Sequence, residues 1–158
     1  MKPTESGGGR GGGPSLKARA IAYLSRREHS RLELQRKLAP HCEDPDEISR
    51  VLDELERDNW QSDRRFAESY VQRKAARQGT ARIMQALGQH RLPDDDIQDL
   101  RARLRDTEAE RVREVWTRKF GELPADAREY AKQYRFLAGR GFSTECIRRL
   151  LGARDDEV

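Results

Sequence analysis

Apolar residues along the chain recur at intervals of three and four rather than two, the spacing of helices that bury one face. Leu38, Leu87 and Leu137 each precede an isoleucine (Ile48, Ile97, Ile147) by ten residues, and three positions later comes Val51, Leu100 or Leu150. The pattern therefore repeats every 49 to 50 residues. Within each repeat it resolves into three helices. In the first they centre on Tyr23 and Leu24, on Leu34 and Leu38, and on Pro45 to about Asp58; in the second on Tyr70 and Val71, on Ile83 and Leu87, and on Ile97, Leu100 and Leu104. The third set comprises Val115 and Trp116, Tyr134 to Leu137, and Ile147 with Leu150. This spacing predicts an all-α fold of three tandem three-helix repeats, spanning 16–60, 61–107 and 108–151. One repeat has too small a core to stand alone, so the three should stack into an elongated, curved rod.

Capping residues punctuate this pattern. Asp44 is placed to cap the third helix, with Pro45 at its first position and Glu47 three residues on to reciprocate. Ser143 takes the equivalent place in the third repeat. Ser30, Gly79 and the segment Gly121 to Pro124 divide the first helix from the second in the successive repeats. Residues 1–15 carry six glycines in two triplets and little apolar surface, which predicts a disordered tail. The acidic end, 152–158, is expected to fray.

Composition narrows the function classes. Only 35% of the 158 residues are hydrophobic and 6% aromatic, while 38% are charged, so a single large core is excluded. A net charge of +4 and a pI near 9.3 favour an anionic partner. The absence of a long apolar run and of a hydrophobic leader predicts a cytoplasmic protein without a membrane partner. Cys42 and Cys146 lack CxxC spacing and are expected as free thiols; His29, His41 and His90 complete no metal motif. No phosphate-binding glycine loop, nucleophile motif or paired catalytic carboxylates appear, which predicts a protein with neither enzymatic activity nor a cofactor.

Charge alternates along the helices. From Leu16 to Lys37 there are seven basic and two acidic residues, whereas Glu43 to Asp58 has two basic and eight acidic. Arg64 to Arg91 carries seven basic residues against one acid, then Asp94, Asp95, Asp96 and Asp99 follow; Arg128 to Arg149 carries six against two. If the first two helices of each repeat share one side, that side is a positive surface. Acids near helix starts and bases near helix ends also suit the helix dipole, which is the competing explanation for any single arginine.

The segment RFAESYVQRKAARQGTARIMQAL resembles the central repeat of the RecX family, bacterial regulators of the RecA recombinase. YLSRREHSRLELQRKL is similar to that family's first repeat, and RFLAGRGFSTECIRRLL to its closing repeat. The resemblance implies three tandem three-helix repeats and no catalysis. It also implies binding in the groove of the RecA filament on single-stranded DNA, restraining recombinase, ATPase and co-protease activities in DNA repair and the SOS response. Some family members also bind DNA themselves, so weak DNA binding, or a protein that acts on DNA directly, is the neighbouring reading. The glycine-rich leader is outside the family's shared pattern. The side chains expected to meet the partner, as a monomer, are Arg26 and Arg27 in the first repeat and Arg73, Lys74 and Arg77 in the second, with Arg26 matching Arg73 and Arg27 matching Lys74. Lys132, Arg135, Arg140, Arg148 and Arg149 complete the set from the third. Their role would be charge-assisted bonding to carboxylates or phosphates. The neighbouring tyrosines and phenylalanines fall on the apolar stripes and read as core.

Overall fold

A computed structural model describes residues 12–152. The leader up to residue 11 and the end from residue 153 lie outside the described residues, and with them most of the two tails read from the sequence. Among the described residues there are eight α-helices and no strand: α1 (Leu16–Arg26), α2 (Arg31–Leu38), α3 (Pro45–Arg57), α4 (Asp63–Lys74), α5 (Thr80–Gly88), α6 (Asp94–Lys119), α7 (Ala127–Gly139) and α8 (Thr144–Leu151). A single 3₁₀ turn, Ala39–His41, follows α2.

Each unit buries its own core. Ala20, Leu34, Leu38, Ile48, Leu52 and Leu55 form the first; Phe66, Ile83, Leu87, Leu100 and Leu104 anchor the second; Val112, Leu137, Phe142, Ile147 and Leu151 anchor the third. The caps fall where their chemistry requires. Ser15, Ser30, Ser62, Asp126 and Ser143 each accept a backbone N–H of the helix that follows. Ser15, counted with the leader in the sequence reading, thus begins α1. Asp44 accepts from Asp46 N with Pro45 at the first position, as expected. Glu47 does not close a reciprocal box there; its carboxylate accepts from the Cys42 thiol at 3.3 Å.

One difference reshapes the architecture. The third helix of unit two and the first helix of unit three, read as separate elements, are a single helix, α6, of 26 residues. The division expected between residues 107 and 108 falls in its middle. Nothing between Pro93 and Gly121 breaks it, for the intervening sequence contains neither glycine nor proline. Leu100 and Leu104 face the second core while Val112 and Val115 face the third. The two units therefore share one rigid element.

The joints between units follow a common plan. In the first, Asp63 at the start of α4 accepts the Arg31 N–H at the start of α2, 2.9 Å away. In the second, Glu108 of α6 accepts the Thr80 N–H at the start of α5, also at 2.9 Å. Each carboxylate meets an N–H that the helix itself leaves unpaired, at the positive end of its dipole. The turns repeat the correspondence. Ser30 Oγ and His90 Nδ1 share a hydrogen bond of 2.7 Å, while Gly79 N donates to Arg140 O at 2.8 Å; Gly79 lies 49 residues after Ser30 and Arg140 lies 50 after His90. At the second joint the backbones themselves touch. A Cβ on Gly79 would lie 2.2 Å from Gly141 O, and one on Gly141, whose φ is +91°, 2.4 Å from Arg82 Cβ.

His29 and His90 both lie at the first joint, where the His29 carbonyl accepts from Gln61 and His90 meets Ser30. His29 is 2% exposed. Its Nδ1 lies 2.9 Å from the Arg27 carbonyl and must carry the hydrogen, while Nε2 accepts from Lys37 Nζ at 3.1 Å. Burial pushes both histidines below their usual value; at His29 the hydrogen bond to the Arg27 carbonyl and the Glu33 charge oppose it while the Arg27 and Lys37 charges add to it, and at His90 Glu33 and Asp63 oppose it while Arg36 and Arg27 add to it. The unfolded chain, titrating near the ordinary value of about 6.5, binds these protons more readily than the folded one. Their contribution to stability is thus complete above that value and lost as the pH falls through the depressed folded values. Thermal melts should show a plateau at neutral pH and a decline beginning near pH ~6.5, and replacing both side chains by glutamine should flatten that decline. An unaltered slope in the double variant would remove the histidines from this account.

Candidate functional site

The basic residues singled out in the sequence do not all arrive in one place. Arg27 leaves the end of α1 and gives its guanidinium to both oxygens of Glu33, with Nη1 also donating to the Glu28 carbonyl at 2.9 Å. Burial alone would raise the Glu33 carboxyl, but Arg27 holds it below the usual carboxylate range. Arg149 pairs with Glu145 one turn back at 2.6 Å. These two charges are answered within their own units.

Arg73 and Lys74, at the end of α4, gather on Tyr70. Each lies 5.9 Å from the ring centroid, so an aromatic face steadies both cations near the surface. Arg26, Lys132, Arg135 and Arg148 stand exposed on α1, α7 and α8.

Arg77 and Arg140 are brought together although they lie in different units. Both line a cavity of about 380 Å³ at the second joint, together with Val115, Arg118, Lys119 and Phe136. No carboxylate lines it. The fold holds these groups by specific contacts. Arg118 Nη2 donates to the Ala76 carbonyl at 2.6 Å. Lys119 Nζ and Arg140 Cζ lie 5.2 and 5.0 Å from the centroid of Phe136, whose edge-on packing against Phe120 at 5.5 Å fixes the ring. Arg118 and Lys119 are absent from the sequence-derived set. As the last turn of a helix they matched the dipole explanation, and only the close approach of the α4 and α7 ends reveals them as neighbours of Arg77 and Arg140.

Arg111 secures the same joint. It is 8% exposed and donates to the Ala75 carbonyl at 3.1 Å, to the Gln78 carbonyl, to Leu104 O at 2.9 Å, and to the hydroxyls of Thr80 and Thr107 at 3.2 and 3.1 Å. Burial lowers its pKa, opposed by nearby Glu108. A second cavity, about 430 Å³, adjoins the same joint; Arg101 and Arg105 line it, but so does Glu108.

Among the described residues no group of three or more His, Cys, Asp or Glu side chains is placed to hold a metal ion. Cys42 and Cys146 are unbridged, and no helix of the described residues is long and apolar enough to cross a membrane.

Comparison with known proteins also finds three three-helix domains in the chain. Residues 17–55, 62–100 and 106–151 match, respectively, the first, second and third three-helix domains of RecX. The regulatory protein RecX of Ralstonia nicotianae is 55% identical over 141 residues, covering 89% of this chain and 89% of its own. That of Leptothrix cholodnii is 52% identical over 143 residues, covering 90% and 91%. In fold, the crystal structure of RecX from Lactobacillus salivarius superposes with a TM-score of 0.67 at 22% identity, across 86% of this chain and 92% of that one.

Arg73 and Arg77 are exposed and outside every core cluster. Changing both to glutamate should leave helical content intact and shift stability by no more than about 0.5 kcal/mol, the range for surface substitutions. Circular dichroism and a denaturant melt measure both, and a loss beyond about 1 kcal/mol would assign these arginines to the fold instead.

Proposed function

The chain belongs to the RecX family, and from that membership we propose that it is a non-enzymatic modulator, mainly an inhibitor, of RecA. In this reading it acts as a cytoplasmic monomer, lies in the groove of the RecA filament on single-stranded DNA, and restrains recombinase, ATPase and co-protease activities in DNA repair and the SOS response. The observation that carries the proposal is the match of all three units, in chain order, to the three domains of the family. The joints support it physically. Units linked in a repeating way present similar surfaces at intervals, and a filament presents similar sites at intervals. Weak contacts made together then act at high effective concentration.

Charge is the means of attachment in this proposal. Arg26 and Arg73 occupy matching places at the ends of α1 and α4, both exposed. They would meet carboxylates or phosphates of successive filament subunits. A protein acting directly on DNA is the alternative, and it makes a different demand: naked DNA should be bound as well as the filament, with steep salt dependence.

Titration of the protein into the DNA-dependent ATPase of its cognate RecA should lower the rate at substoichiometric amounts, and strand exchange with it. No effect at concentrations that saturate the filament would overturn the proposal. Changing Arg26 and Arg73 together to glutamate should weaken filament binding by about 1 to 3 kcal/mol for each contact that is well desolvated, with a smaller loss on naked single-stranded DNA. Equal losses on both would favour the DNA-binding alternative.

A further inference from the structure

The second joint is locked by a helix common to both its units, α6; the first has no such element. There α3 ends at Arg57, α4 begins at Asp63, and the first and second core clusters have no residue in common. Polar bonds span the gap instead, and they gather on the turn between α1 and α2. Asp63 accepts the Arg31 N–H at 2.9 Å, Gln61 Nε2 donates to the His29 carbonyl at 3.3 Å, Ser30 Oγ meets His90 Nδ1 at 2.7 Å, and Arg65 Nε donates to the Glu28 carboxylate at 3.1 Å. Consecutive residues 28–31 thus each hold one bond across the joint.

Both histidines act there as acceptors. His29 Nδ1 gives its hydrogen to the Arg27 carbonyl, which leaves Nε2 to accept from Lys37 Nζ at 3.1 Å. Ser30 Oγ accepts the Glu33 N–H at 3.1 Å, and its own hydrogen finds His90 Nδ1. A proton added to either ring sets donor against donor. At His29 the opposing group is the Lys37 ammonium; at His90 it is the hydroxyl of Ser30, whose complete burial denies it water as another acceptor. Around His29 stand Arg27, Lys37, Glu33 and the Tyr23 ring at 5.9 Å; around His90 stand Arg27, Arg36, Glu33, Asp63 and the Phe66 ring at 4.5 Å. The acids favour a proton, but burial outweighs them and holds both rings below their usual value.

We propose that the first joint is a proton-operated hinge: in acid the turn at residues 28–31 releases the second unit, unit one swings, and units two and three move together on α6. Opening returns both rings to water and to the ordinary value of about 6.5, so the open form binds protons more readily than the closed one. From about pH 7.5 to 5.5 each histidine favours opening by up to about tenfold, and the pair by up to about a hundredfold. The spacing of Arg26 from Arg73, which this joint sets, changes with it. That consequence for attachment rests on the function proposed above; the hinge does not, and its test uses no RecA.

Hydrogen exchange of single amides, followed by NMR on the whole protein, reads the hinge. The Arg31 N–H opens α2, has no acceptor within that helix and is bonded to Asp63 across the joint, so its protection reports closure. Corrected for the intrinsic rate, that protection should fall about ten- to a hundredfold from about pH 7.5 to 5.5. The amides of Leu52 and Leu87, inside the first and second cores, should stay at least about tenfold better protected than Arg31 throughout, which separates hinge opening from unfolding. In His29→Gln/His90→Gln the fall should shrink to within about threefold. Where circular dichroism shows that variant to be misfolded, His90→Gln alone decides, and should reduce the fall by about threefold or more. Arg31 protection that ignores pH, a fall shared in full by Leu52 and Leu87, or one that persists undiminished in the variants would each overturn the proposal.

Discussion

The structure depends on one interaction made twice: a carboxylate from the first helix of a following unit accepts the first free N–H of the second helix in the preceding one. Asp63 does this for Arg31, and Glu108 for Thr80. Each unit has its own small core, but the cores alone do not fix how one unit is turned against the next. A directed hydrogen bond at a helix N-terminus does, because displacing it leaves both a carboxylate and a backbone N–H unsatisfied. Charge on the acceptor and the dipole of the helix reinforce the bond.

The two joints differ in what surrounds that bond. The first is lined with side chains that can change state or rotate, including His29, Ser30, Gln61 and His90. The second is stiffer. Its units share α6, its turns meet backbone to backbone at Gly79 and Gly141, and Arg111 ties the carbonyls at the end of α4 to the shared helix. Arg111 and Glu108 are buried in one stretch of α6 and answer different backbone groups, one carbonyls and the other an N–H. Their positions bring the ends of α4, α6 and α7 together, and the cations at those ends follow.

Much of the fold was legible in the sequence because short-range rules governed it. Leucine and isoleucine spacing marked the helices, and Ser30, Asp44 and Ser143 marked helix starts through local side-chain bonds. The continuous α6 was missed because the repeat pattern implied a break where the sequence contains no breaker. The joint carboxylates were illegible for a different reason: Asp63 bonds across 32 residues and Glu108 across 28. Arg111 looks like any other arginine until its burial is known. The candidate surface was legible as charge but not as arrangement, for Arg27 is paired with Glu33 of its own unit while Arg118 and Lys119 join Arg77 and Arg140.

If the joints organise the binding surface, geometry and not the number of charges should determine attachment to RecA. Gly79→Ala separates the two, since it alters no charge but places a methyl group 2.2 Å from the Gly141 carbonyl oxygen, a distance that forces the second joint apart. The decisive measurement is the affinity of this variant for RecA filaments on single-stranded DNA, with helical content followed in parallel. The account predicts retained helices and an affinity reduced on the order of tenfold, equivalent to about 1.4 kcal/mol. Binding at the strength of the unaltered protein would contradict it.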